Sequence, residues 1–380
     1  MYYVTVRQSP MYKQMSLEDF LFNTTASTAT INANTANTRT YAVQSISGKF
    51  LKTVDVDVLV TKLAWFNSIT KELHSKDRQD LYHSFCIPKK SGGLRQIDEP
   101  NEELMSALRM LKDIFENDFG ALYHTSAFAY VRDRCTIDAV KKHQDNESKW
   151  FGKYDLSNFF GSTTKEFVMH QLEMIFPFCE VLKREDGRRE LETAIDLAFL
   201  NGGLPQGTPL SPTLTNIIMI PVDYKLYNTL RNYNNQTFVY TRYADDFIIS
   251  SRYSFSFKEI ENLIKSTLEE FGAGFSINSK KTRYGSSAGS NWNLGVMLNK
   301  DNEITIGHKK KKQFQAMVAS YIMDSKNGKS WDINDVQRLE GLRNYYHSVE
   351  PERIDEIIEH ANEKFGVNFR KLIADNLKVA

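Results

Sequence analysis

Residues 238 to 251 read FVYTRYADDFIISS, two runs of β-branched and aromatic residues that meet at Ala244 and Asp245. Runs of that composition form strands, and so short a connection predicts an antiparallel hairpin with Asp245 and Asp246 at its turn. Upstream, KWFGKYDLSNFF (149–160) is a further apolar and aromatic strand that ends at Asp155. A fold that aligned the two would gather three carboxylates. Between them, LNGGLPQGTPLSP (200–212) is a glycine- and proline-rich loop running into a helix that starts near Ser211 or Pro212. Such an entry allows close backbone approach.

Further upstream, FCIPKKSGGLRQIDEP (85–100) predicts a second hairpin, with a Ser91-Gly92-Gly93 turn and Lys89, Lys90 and Arg95 around its tip. Helical spacing marks 58–69, 102–119, 163–176, 191–200 and 257–271, and a strand is expected at 275–278. Downstream, WNLGVMLNKDNEITI (292–306) reads as a hairpin turning at 300–302, and HKKKKQF opens a helical C-terminal region. Helices and hairpins in this order, without a βαβ repeat, predict an α+β fold.

The 380 residues are 41% hydrophobic, 25% charged and 12% aromatic, which excludes collagen-like, disordered and membrane classes and suggests two or three packed units. Forty-eight basic and 47 acidic residues give a net charge of +1, so a nucleic-acid face must come from local clustering. Cys86, Cys135 and Cys179 are odd in number and widely spaced, which speaks against a disulfide scaffold or structural zinc. No signal-like leader and no apolar run of about 18 residues is present, so the expected location is the cytoplasm, with no membrane partner. The Asn/Thr-rich stretch 23–40 has no apolar period, and folded structure is expected to begin near Val54.

Clustered aspartates repel unless cations hold them. Hard divalent ions such as Mg²⁺ prefer oxygen ligands, and two ions about 3.5 to 4 Å apart can activate a hydroxyl and stabilise a pyrophosphate leaving group. A lone Asp-Asp pair is weak evidence for this, because surface turns are rich in Asp. Here YTRYADDFIIS, LPQGTPLSP (204–212), YDLSNFF (154–160) and IPKKSGGLR (87–95) occur together. In that order the four motifs resemble the prokaryotic reverse transcriptases, the family of retron, group II intron, diversity-generating and phage-defence enzymes, over roughly residues 80 to 350.

The resemblance implies a right-hand polymerase with fingers, an antiparallel palm sheet with helices, and a helical thumb. Its units would be an N-terminal extension over 1–52, fingers and palm over 53–307 and thumb over 308–380. It implies RNA-directed DNA synthesis with two Mg²⁺, Mn²⁺ being a substitute, held by Asp155, Asp245, Asp246 and the carbonyl of Leu156. Lys281 would protonate the departing pyrophosphate. Phe160 would exclude a ribose 2′-hydroxyl, Gln206 and Gly207 would lie against the nascent base pair, and Lys89 and Arg95 would bind the dNTP phosphates. Tyr243, Trp292 and Gly295, with Lys309, Lys310, Arg343 and Tyr345 of the thumb, would contact nucleic acid; Lys311, Lys312 and Tyr346 share that stretch.

No long region follows the thumb, and the loop motif keeps Gln206 to Pro212, which disfavour the full group II intron and diversity-generating branches. TIDAVKKH (136–143) and WNLGV depart from the retron elements. A retron-like or phage-defence enzyme copying a structured non-coding RNA into DNA is the first reading, with a protein effector or oligomer as further partner. The alternatives are a compact group II-like reverse transcriptase or maturase, template-independent or protein-primed DNA synthesis, RNA-templated RNA synthesis on the same palm, and a catalytically silent RNA-binding scaffold.

Overall fold

The computed structural model describes residues 3–8, 11–16, 40–44 and 50–378 apart from 90–91, 121, 232 and 288–291; for 3–54, 292–293 and 378 it describes the backbone alone. The fold is α+β. At its centre lies a four-stranded antiparallel sheet in the order Arg283–Ser286, Trp150–Asp155, Asp246–Ser251, Phe238–Tyr243. Arg283–Ser286 takes the edge where the sequence suggested a strand at 275–278; Ile277 forms only an isolated bridge to Leu156.

Because side chains alternate along a strand, the register sorts this sheet into two faces. Asp155 lies opposite Asp246, so Phe151, Lys153 and Asp155 share a face with Asp246, Ile248 and Ser250. Tyr154, Tyr240, Phe247 and Ile249 point the other way, into the main hydrophobic core built from Val56 to Phe275. On the acidic face, Phe151 and Ile248 pack with Val140 of the helix Thr136–Asp145 and with Val296 and Leu298. Both faces are therefore covered, which explains why these strands read as near-continuous apolar runs.

The fingers hairpin pairs Tyr82–Pro88 with Leu94–Pro100. Helices Val56–Ile69 and Glu102–Asp113 begin at Asp55 and Asn101, whose side chains accept from the first-turn amides. The latter continues as a π-helix over Ile114–Phe119. Glu185–Asp196 starts earlier than the apolar spacing of 191–200 suggested and stops where Leu200 and Gly203 close a turn. The 292–306 segment makes three short strands rather than one hairpin, turning first at Leu294 and Gly295.

Four helices, His308–Lys326, Ile333–Val349, Pro351–Phe365 and Phe369–Lys378, surround a second core that includes Phe314, Tyr321, Leu339, Ile354 and Phe369. At the other end, Met11–Ser16, Tyr3–Gln8, Thr40–Gln44 and Phe50–Asp55 form a four-stranded sheet, so ordered backbone begins well before Val54. The Asn/Thr-rich residues 23–39 lie outside the described residues.

Candidate active site

Three local devices bring the acidic residues to one end of the central sheet. Asp155 ends its strand and is buried, while Asp246 opens the facing strand. Ala244 turns the hairpin in the left-handed region, φ 56°, and the carbonyl of Asp245 accepts from the Leu156 amide at 3.0 Å. The Asp155 carbonyl accepts from Asn278 at 2.7 Å, which places the loop carrying Lys281 beside it.

Lys281 donates to both carboxylate oxygens of Asp155, at 2.9 and 3.0 Å, and Lys153 donates to Asp246 Oδ2 at 2.7 Å. Burial, reinforced by the charges of Asp245 and Asp155, pushes Asp246 up to about 6, although Lys153 opposes it. Burial also raises Asp245, helped by the charge of Asp155. Burial lowers Lys281 and is the largest single influence, but its bond to Asp155 and the three carboxylate charges together raise it overall. Asp246 Oδ1 is buried and, among the described residues, has no hydrogen-bond partner.

Among the described residues no group of three or more His, Cys, Asp or Glu side chains is arranged to hold a metal ion. Asp155 and Asp246 each pair with a lysine instead of converging on a common centre. The donor set nevertheless suits a hard divalent ion: carboxylate oxygens carried on two tightly tied backbone segments, one of them buried and unsatisfied.

The other expected contacts lie around these acids. Phe159 is core, edge-on to Phe275 at 4.9 Å, whereas Phe160 is only half-buried. Leu204 of the glycine-rich loop donates to the Phe160 carbonyl at 3.0 Å. Gln206 accepts from the Asp98 amide at 2.8 Å, and a Cβ on Gly207, φ 123°, would stand 2.9 Å from the Asp98 carbonyl oxygen. The loop is thus pressed against the fingers hairpin by a residue only glycine suits. Lys89 and Arg95 are exposed on that hairpin, and Ser91 and Lys90 of its turn lie outside the described residues. Partial burial and then Asp245 and Tyr243 raise the Tyr130 phenol, while Arg95 opposes.

On the thumb side, Lys310 donates to the Gly295 carbonyl, and the Tyr345 hydroxyl stands near the same glycine. Burial raises the Tyr345 phenol, its hydrogen bond with Thr136 opposes this, and Tyr243 adds a smaller upward push. The Trp292 side chain lies outside the described residues. Lys309 and Lys312 are exposed. Three residues of the predicted duplex face are otherwise engaged. Arg343 is held by Glu340 at 2.8 and 2.5 Å, Lys311 by Glu350 at 2.7 Å, and Tyr346 is buried edge-on to Phe314. The i,i+3 spacing of Glu340 and Arg343, and Leu339 to Tyr346 along one helix face, were available signals for this.

Sequence reasoning missed Lys153, which strand alternation places on the face of Asp155, and the supporting layer beneath the acids. His143 is fully buried and bonds Ser250 Oγ at 2.6 Å and Thr241 Oγ1 at 2.8 Å, tying both strands of the acidic hairpin to the helix Thr136–Asp145. Burial, with Lys142 nearby, pushes its imidazole down to about 3. The folded value lies below the unfolded 6.5, so this contribution is complete above pH 6.5 and is lost as the pH falls toward 3, where the unfolded chain takes up a proton that the folded one refuses. Stability against urea should therefore fall with pH more steeply in the wild type than in His143→Gln, by about 1 kcal/mol per pH unit between pH 6 and 3.5. Parallel slopes for the two proteins would show that His143 titrates normally.

An antiparallel sheet with acids at the mouth of its central hairpin, a fingers hairpin over a glycine-rich loop and a helical thumb define a right-hand nucleic-acid polymerase. Residues 87–316 match the family model described as reverse transcriptase (RNA-dependent DNA polymerase). The chain belongs to the reverse transcriptase family, enzymes that synthesise DNA on RNA with divalent metal ions. It is 27% identical over 307 residues to the retron Ec83 reverse transcriptase of Escherichia coli, covering 77% of this chain and 89% of that one. To the retron Ec73 reverse transcriptase of the same species it is 31% identical over 208 residues, 53% and 64% of the two chains. Among solved structures, telomerase from Candida albicans in complex with a TWJ fragment of telomeric RNA aligns at TM-score 0.46 and 12% identity, over 78% of this chain and 65% of that one.

Proposed function

We propose that this reverse transcriptase is a retron-like enzyme of the cytoplasm that copies a structured non-coding RNA into DNA and serves in phage defence. The observation that carries the chemistry is the register of Asp155 opposite Asp246 on adjacent strands, which puts both carboxylates on one face at the open end of the sheet. Asp155, Asp245, Asp246 and the Leu156 carbonyl would hold two Mg²⁺ ions, which supply charge stabilisation to the attacking 3′-hydroxyl and to the leaving pyrophosphate. Arg95 and Lys89 bind triphosphate oxygens from the fingers hairpin, the guanidinium in a bidentate fashion. Lys281 holds a proton at Nζ beside Asp155, from which it can neutralise departing pyrophosphate. The similarity to retron reverse transcriptases of Escherichia coli supports a dedicated RNA template.

Phe160 selects dNTPs by occupying the space of a 2′-hydroxyl. Phe160→Ala should therefore raise rNTP incorporation relative to dNTP at least about tenfold in single-nucleotide addition, the scale on which a shape-built pocket discriminates; unchanged selectivity would remove Phe160 from that role. The reading as a whole is tested by purifying the protein from its native host, sequencing the nucleic acid that accompanies it, and assaying primer extension on RNA with dNTPs and Mg²⁺. One enriched RNA and templated DNA are expected. A random RNA population, or DNA made without template, would overturn it.

A further inference from the structure

The acidic turn is held in place by a group that lies outside the reaction space. Arg242 stands two residues before Ala244, where the turn begins, and is buried, its guanidinium clasping Asp223 of the helix Ile220–Arg231 through Nε to Oδ1 and Nη2 to Oδ2, both at 2.8 Å. Its remaining nitrogen, Nη1, donates to Asn216 Oδ1 at 3.0 Å and to the carbonyl of Ala244 at 3.2 Å. Asp223 also accepts from the Tyr240 hydroxyl at 2.7 Å, and Asn216 donates to the carbonyl of Ala129, next to Tyr130. The Arg242 backbone is itself fixed, its amide on Ser126 at 2.6 Å and its carbonyl under the Phe128 amide at 2.9 Å.

A fully buried ion pair is a poor device for stability alone, because desolvating two charges offsets most of their attraction and apolar residues of similar volume often serve as well. What an apolar pair cannot do is reach the carbonyl of Ala244, the non-glycine residue held at φ 56° directly before Asp245. We propose that Arg242, locked by Asp223 and Asn216, is a positioning residue that sets the backbone of the Ala244-Asp245 turn and so aims the Asp245 carboxylate at the reacting groups. The inference rests on Asp155, Asp245 and Asp246 forming the catalytic site, and it assigns Arg242 no contact with substrate.

The test compares wild type, Asp245→Ala, Arg242→Lys and the double variant Arg242→Met/Asp223→Leu by melting temperature, by kcat and KM for dNTP in primer extension, and by hydrogen exchange at the Leu156 amide. The double variant is expected to fold, to lose about a hundredfold in kcat with KM changed less than threefold, and to exchange the Leu156 proton faster, as follows from a small misplacement of a reacting group. Arg242→Lys keeps a cation opposite Asp223 but loses the fork, and it too should show a kcat loss in a folded protein. If the double variant does not fold, Arg242→Lys carries the test. Wild-type kcat and Leu156 protection in either folded variant overturn the proposal while an inactive Asp245→Ala leaves the site reading intact; an active Asp245→Ala overturns both.

Discussion

Asp245→Ala should abolish RNA-templated primer extension, lowering kcat by at least about a thousandfold, equivalent to roughly 4 kcal/mol of transition-state stabilisation. The carboxylate stands at the turn that joins the edge strand Phe238–Tyr243 to Asp246–Ser251, and its backbone is tied to Leu156, so no neighbour can move in to replace it. Removing it should not cost stability. Burial and the charge of Asp155 already raise Asp245, which means its ionised form is held against repulsion in the fold. The variant is thus expected to melt at the wild-type temperature or slightly above, and to retain RNA in a filter-binding assay. A variant with more than a tenth of wild-type activity would falsify the assignment of Asp245.

Gly203→Ala is the second large effect, and it acts through shape. A Cβ on Gly203 would sit inside the contact distance of the Gly161 carbonyl oxygen, a backbone atom that has no rotamer to adopt. The loop and the turn after Asp155 touch here, joined by the bond from the Leu204 amide to the Phe160 carbonyl. Forcing them apart should cost about 1 to 3 kcal/mol, the usual penalty for overfilling a tight contact. It should also displace Phe160 and Gln206 together. Thermal unfolding and the KM for dNTP check both parts: a lowered melting temperature with KM raised severalfold is expected, and a normal melting temperature with normal KM would show that the loop accommodates the methyl group.

The parts of this molecule that were legible in the sequence are those written in contiguous residues. Alternating apolar runs flanking Ala244-Asp245 gave the hairpin, and Gly92-Gly93 marked the fingers turn. The helix beginning at Ser211 followed from the proline after it. What stayed hidden was pairing at a distance. Nothing in YTRYADD reveals that its arginine finds Asp223, nor in TIDAVKKH that its histidine spans Thr241 and Ser250. Those contacts depend on which face each element buries, which is settled only when the sheet is assembled. The N-terminal strands were missed for another reason: they flank a stretch whose Asn and Thr residues carry no periodic signal.

The central sheet also bears on how the protein is made. Trp150–Asp155 has its partner in Asp246–Ser251, and the Lys153–Asp246 contact joins positions 93 residues apart. While the ribosome adds about 5 to 20 residues per second, the apolar strand WFGKYD therefore spends several seconds outside the tunnel with no strand partner. Contacts of such long span slow folding and leave strand edges open to other chains. On the proposed site assignment the nascent enzyme is in this sense inert until then, because its polymerase centre would need the acidic turn to be synthesised. Its yield in a cell should depend on a chaperone that shields that strand through the wait, and slowed elongation between residues 156 and 245 should increase the share that aggregates.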